Sequence, residues 1–263
     1  MKISYNRYTP EGGVSESIGF LLIFTIVIAG IGLVTLYGYP MLLQQQVSAD
    51  EQIMEKNMIV LQNDLKGLAY KTVPYKETSL KIGGGTLAVY NASSTPATST
   101  ITIREGATTY VDAFHSGDLR YESVNAKTDI SLQNGAVVKR DRTGQGSVMI
   151  AEPRWFYDST SNTMIINLIA INSTSLMSKT GIGTVQMALS ETNYTYLHPT
   201  GSVYLDYTPD TGADFSTGWD NYFSSTLTDP TRSVNTFTYR LPLDPSRPAT
   251  LAIKRYDILI KSL

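Results

Sequence analysis

Side chains able to do chemistry are sparse along this sequence and widely spaced. Two histidines occur, His115 and His198, and there is no cysteine. His115 precedes Ser116-Gly117 and His198 precedes Pro199, and neither stands beside a nucleophile pattern such as G-x-S-x-G. With thiolates absent and the histidines far apart, thiolate zinc sites are excluded and histidine-rich metal sites are not expected. Asp206, Asp210, Asp214 and Asp220 crowd one stretch with Gly212 and Gly218. Their spacing lacks the alternating ligands and terminal Glu of an EF-hand loop, so they read as turn and capping residues. Gly83-Gly84-Gly85 is not a phosphate loop, because no Lys-Ser/Thr follows and a strand comes next. The expectation is no enzyme, no metal and no cofactor. Modification has better candidates. Asn91-Ala92-Ser93, Asn172-Ser173-Thr174 and Asn193-Tyr194-Thr195 are sequons, so Asn91, Asn172 and Asn193 are glycosylation candidates if exported and exposed. A Ser/Thr-rich chain would hold about two or three by chance, so position has to decide.

The element that must position everything else is the apolar run over residues 18–39, within a charge-free span of 17–49. At about 1.5 Å per residue, a helix of that length covers about 33 Å, enough for a hydrocarbon core. Thr25 and Thr35 are compatible with lipid, since each hydroxyl can bond a carbonyl one turn back. Lys2 and Arg7 lie before the run, and Asp50 and Glu51 after it. The positive-inside rule therefore predicts a single pass with a cytoplasmic N-terminus and an extracellular C-terminal domain. The net charge is −2 with no basic stripe, which argues against nucleic acid as a partner.

Three readings of the N-terminus follow. A cleaved signal peptide would use Val47-Ser48-Ala49, but the apolar run exceeds the usual 7–15 residues and ends well before that site. An uncleaved signal anchor is the second. The third rests on GGVSESIGFLLIF, residues 12–24, where glycines and an acidic residue precede the apolar helix. This stretch, with Val14-Ser15-x-x-Ile18-Gly19, resembles the class III signal sequence of archaeal type IV pilins and pilin-like proteins. The resemblance implies a cytoplasmic leader over 1–13, cut by a prepilin peptidase after Gly13 to expose Val14, with Gly12 as a competing position. It also implies that Glu16 acts in assembly by pairing with the new amine of a neighbouring subunit. Glu11 stands where the family usually has Lys or Arg, and Glu16 is the third mature residue.

Beyond the run, Pro40 and Gly38 can bend the helix. Val47, Met54, Leu61 and Leu68 then recur every seventh residue, with Met58 and Leu65 beside them. That is one amphipathic stripe, predicted to end near Tyr70, before Pro74. Residues 14–70 are thus one membrane and amphipathic helix, and 71–263 an exported domain. In that domain residues 79–82 and 86–90 read as a tight hairpin around the Gly triplet, a GGGTL segment similar to one in the resembled family. Residues 91–100 are a Ser/Thr/Pro loop. Residues 100–103 and 108–114 pair across Glu105-Gly106, and 129–132 and 136–139 bracket an Asn134-Gly135 turn. The apolar run 163–171 is a central strand. Residues 214–223 are a helix capped by Asp214 or Ser216, stapled through Phe215, Trp219 and Phe223. Residues 234–240, 249–253 and 256–260 are separate closing strands.

The fold class expected is α+β: a long N-terminal transmembrane and amphipathic helix, then a β-rich antiparallel head with one short helix. The resemblance implies a structural surface protein that assembles through its N-terminal helix into a type IV pilus-like filament. Its partners would be membrane lipid, prepilin peptidase, and copies of itself or other pilin-like subunits. The alternative is a signal-anchored extracellular binding or sensing ectodomain that does not polymerise, with Tyr204 and Tyr207 on a ligand face.

Overall fold

The computed structural model describes residues 12–71, 73–93, 99–144, 146–233 and 235–263, with side chains from Glu16 onward. Most of the leader and the centre of the 91–100 loop lie outside the described residues. The chain divides into two units, Met1–Ser48 and Ala49–Leu263.

The first unit is helical throughout its described part. Helix α1 spans Gly12–Leu33, followed by a π-helical turn, Val34–Gly38, and then α2, Tyr39–Tyr70. Phe20, Leu21, Leu22, Ile23 and Phe24 are all exposed, and five consecutive residues span more than a full helical turn. Apolar side chains therefore stand on every face of α1, as a helix surrounded by lipid requires. Thr25 and Thr35 donate to the carbonyls of Leu21 and Ile31 at 2.8 and 2.9 Å, so their hydroxyls are satisfied within the helix. The expected irregularity near Gly38 and Pro40 is the π turn. Tyr39 N–H returns to the Val34 carbonyl, five residues back, just before a proline that has no N–H of its own.

In the second unit the strands are β1 Tyr75–Tyr90, β2 Thr100–Glu105, β3 Thr108–His115, β4 Asp118–Ser123, β5 Thr128–Gln133, β6 Ala136–Asp141 and β7 Gly146–Ala151. They continue as β8 Phe156–Asp158, β9 Thr163–Ser173, β10 Ser178–Leu197, β11 Val203–Thr208, β12 Thr228–Arg232, β13 Phe237–Arg240 and β14 Thr250–Ser262, with helix α3, Ser216–Thr226, before β12. They form a nine-stranded sheet, β7-β6-β5-β4-β1-β10-β14-β9-β8, and a five-stranded sheet, β12-β13-β11-β2-β3. Pairing is antiparallel except between β14 and β9, which run parallel from Thr250↔Thr163 to Ile260↔Ser173.

The amphipathic stripe lies where its period puts it. Met54, Met58, Leu61, Leu65 and Leu68 are fully buried, packed with Leu80, Leu87, Leu119, Ile130, Val185 and Ile258 of the large sheet. A second core joins the other face of that sheet to the small sheet and α3, through Met164, Ile166, Leu168, Ile103, Leu205, Trp219 and Phe223. Strand β9 is apolar on both faces because both are covered, Ile169 in the first core and Leu168 and Ala170 in the second.

Four local expectations are corrected. The Gly triplet makes no hairpin: β1 runs through it as one strand, and its register on β10 shifts between Ile82 and Leu87. A side chain on Gly85 would strike the Glu122 carbonyl and the Tyr121 ring, so the glycines serve close approach inside a strand. Residues 249–260 are not two strands, since β14 is continuous and Lys254 and Arg255 simply point to opposite faces. The run 163–171 sits one strand from the sheet edge, beside β8, rather than at the centre. Helix α3 begins at Ser216 without a side-chain cap on Phe215, although Asp214 Oδ1 accepts from Ser216 N–H at 2.8 Å. Strand β12, fully exposed and containing Pro230, has no counterpart in the sequence reading, and it sits at a sheet edge where a missing N–H is tolerated.

Candidate functional site

The four clustered aspartates go to separate partners. Asp206 takes the Arg104 Nε at 2.6 Å and the Thr238 hydroxyl at 2.6 Å. Asp210 lies 3.8 Å from Arg120 and accepts from Gly212 N–H. Asp220 holds Arg232 at 2.9 Å and the Tyr239 hydroxyl at 2.5 Å. Asp214 serves the start of α3. These are turn and bracing roles.

The sequons converge on one side of the large sheet. Asn172 and Asn193 both line a cleft of about 480 Å³, together with Ser93 of the third sequon, Asp112, His115 and Arg255. Asn193 is exposed on β10, while Asn172 and Asn91 are half-buried. The Asn91 amide is committed: Nδ2 donates to the Ser173 carbonyl at 3.2 Å, and Oδ1 accepts from Ser173 N–H at 2.6 Å. Of the three, Asn193 presents its amide most openly. In this cleft Ser93 Oγ is directed to Asn172 Oδ1 at 3.5 Å, Arg255 Nε to Asp257 at 3.0 Å, and the Arg255 guanidinium lies 5.6 Å from the Phe114 ring centre. His198 Nδ1 faces the Ala249 carbonyl at 3.4 Å. Glu16 is exposed on α1; Gly13 and Val14 are helical in backbone.

The expected ligand face at Tyr204 and Tyr207 does not form. Alternation in β11 turns Val203, Leu205 and Tyr207 inward, leaving Tyr207 1% exposed with its ring 5.6 Å from that of Phe223. Tyr204 points the other way and lies under Arg104.

An aromatic cleft that the sequence reading missed lies on the opposite face of β10, β14 and β9 from the sequons. It measures about 570 Å³ and is bounded by Tyr70 at the end of α2, by Arg154 and Phe156, and by Tyr194, Lys254 and Tyr256. Tyr256 forms the floor, with edge-on contacts to Tyr70 at 5.5 Å and Tyr194 at 6.0 Å. Trp155 is fixed behind it by its Nε1 bond to the Asn167 carbonyl at 2.9 Å. Arg154 lies 5.1 Å from the Tyr70 ring centre and Lys254 5.7 Å from that of Tyr194. Burial pushes the Tyr70 hydroxyl up to about 12, with Arg154 pulling the other way. Burial and then the nearby Arg154 charge hold Lys66 below its ordinary value. The only sequence signal was period-two placement of Thr192, Tyr194 and Tyr196 on one face of β10; the other walls come from distant segments.

An apolar helix of membrane-spanning length at the head of an α+β, β-rich domain defines the class. The chain belongs to a family of unknown function, DUF7289, whose model matches residues 13–238 and so takes in both the helix and most of the head. No curated protein and no solved structure matches it.

Proposed function

We propose that this is a membrane-anchored, pilin-like surface protein of an archaeon, whose N-terminal helix holds the head at the membrane and assembles with other copies into a type IV pilus-like filament. The observation that carries it is α1, a helix with Phe20, Leu21, Leu22, Ile23 and Phe24 all exposed. Such a surface is stable only in lipid or against other apolar helices, each buried Leu, Ile or Phe contributing about 1.5–3 kcal/mol relative to water. The family match starting at residue 13, where the leader would be cut, is consistent with a helix retained in the mature chain. Val14 and Glu16 would then set register between neighbouring helices. The head faces the outside, and its role is display and contact rather than catalysis.

The second reading keeps the leader and makes the protein a monomeric anchored binding ectodomain. The aromatic cleft at Tyr70, Phe156 and Tyr194 favours it. Intact-mass analysis of the protein recovered from native membranes separates the two. A mature chain beginning at Val14 supports the filament reading, and one retaining Met1 removes it.

A further inference from the structure

We propose that the cleft walled by Tyr70, Phe156 and Tyr194 binds an acidic sugar, a carboxylate-bearing hexose unit of a polysaccharide, with Arg154 and Lys254 meeting the carboxylate. The proposal goes beyond anchoring and filament assembly and holds whether or not the leader is cut.

Charge comes first. Arg154 and Lys254 both line the cleft, and among the described residues no Asp or Glu lines it. Lys66, on the last turns of α2, feels the Arg154 charge as well. The nearest strand neighbours do not neutralise them: Arg255 and Asp257 alternate onto the opposite sheet face, where they bond each other at 3.0 Å. With no carboxylate among the described lining residues, an anion entering the cleft meets both cations.

The rings select what kind of anion. Phe156 is 58% exposed and Tyr194 54% exposed, and both rings line the same cleft, so together they offer an aromatic surface to a ligand. Sugar rings offer flat C–H faces that lie on aromatic faces, while their hydroxyls bond to hydroxyl groups such as those of Thr192 and Tyr70. A simple inorganic anion gains nothing from such walls. The cleft of about 570 Å³ falls within the range of small-molecule sites and has room for more than one sugar unit. Its floor is preorganised, since Tyr256 is held edge-on by both Tyr70 and Tyr194, which limits the ordering cost of binding.

The test uses the full chain in nonionic detergent micelles, titrated calorimetrically with tetragalacturonate, with its fully methyl-esterified form, with sodium phosphate and with a hexaglutamate peptide. The expected result is saturable binding of tetragalacturonate, at least tenfold weaker binding of the ester, and none of phosphate or peptide. Arg154→Gln and Tyr194→Ala should each weaken binding at least tenfold without shifting the thermal midpoint, and Tyr204→Ala on the other sheet should leave it unchanged. Raising the salt concentration should weaken binding of the acid and not of the ester. The proposal is overturned by no binding of tetragalacturonate, by equal binding of its ester, by equal binding of hexaglutamate, or by binding that survives both cleft substitutions.

Discussion

The Asp50 carboxylate of α2 occupies the space in which a side chain on Gly83 of β1 would stand, and it reaches over Gly84, whose φ is +61°. Helix and strand therefore meet at a point where one partner must lack a Cβ. Gly83→Ala is expected to destabilise the head by about 1–2 kcal/mol through overpacking. Asp50→Ala in the same chain should recover most of that loss, because the obstruction is the end of one side chain. Gly85→Ala should not be rescued this way, since its Cβ would strike the Glu122 backbone. Denaturant midpoints of the single and double variants, followed by tryptophan fluorescence, give the coupling.

Gln62 is the polar residue buried within the α2 stripe. Its Nε2 donates to the Gly135 carbonyl at 2.7 Å and the Glu152 carbonyl at 3.0 Å, tying the helix to the β5–β6 turn and the segment after β7. Gln62→Leu removes the donor and leaves both carbonyls unpaired. A loss of about 1–3 kcal/mol is expected in urea unfolding, although leucine is the more apolar residue.

Lys139 of β6 bridges Glu51 at 2.7 Å and Glu55 at 2.8 Å, which are one turn apart on α2. Burial alone would lower its pKa, but the two carboxylates outweigh burial and raise it above the ordinary 10.5. A raised pKa in the folded state means the contribution is complete below about 10.5 and disappears as pH climbs through the folded value. Lys139→Met should therefore cost about 1 kcal/mol at pH 7. The gap between wild type and variant should hold to pH 10 and narrow above it, as read from thermal midpoints across that range.

Ile28 stands at the middle of the apolar run over residues 18–39, exposed among apolar neighbours. Ile28→Arg puts a charge at the centre of the span and costs about 3 kcal/mol of insertion free energy. The expected outcome is a shift of the chain from the membrane to the soluble or aggregated fraction in a cell-free insertion assay with microsomes. Thr25→Val, which removes only an internal hydroxyl bond to Leu21, should insert normally.

The parts legible from residue order are those governed by local rules. The helix expected over 14–70 and its end at Tyr70 followed from an apolar run, a seven-residue period and a downstream proline, and the structure starts it two residues earlier, at Gly12. Asn134-Gly135 was a turn because both residues tolerate positive φ, and they sit at +46° and +74°. Phe215, Trp219 and Phe223 lay four apart and are all buried. The Gly triplet was misread for a physical reason: glycine permits a reversal and permits a close approach equally, and only the arrival of Asp50 and Tyr121 chooses between them.

Residue order by itself determined the kind of element at most positions, because side-chain period and turn chemistry act within a few residues. Only the tertiary structure decided which strands became neighbours, with β14 parallel to β9 and antiparallel to β10. It alone brought Tyr70, Arg154, Phe156, Tyr194, Lys254 and Tyr256 around one cleft and buried Tyr207 instead. Such groupings depend on which sheet faces bury each other across long chain separations, and no local pattern carries that information.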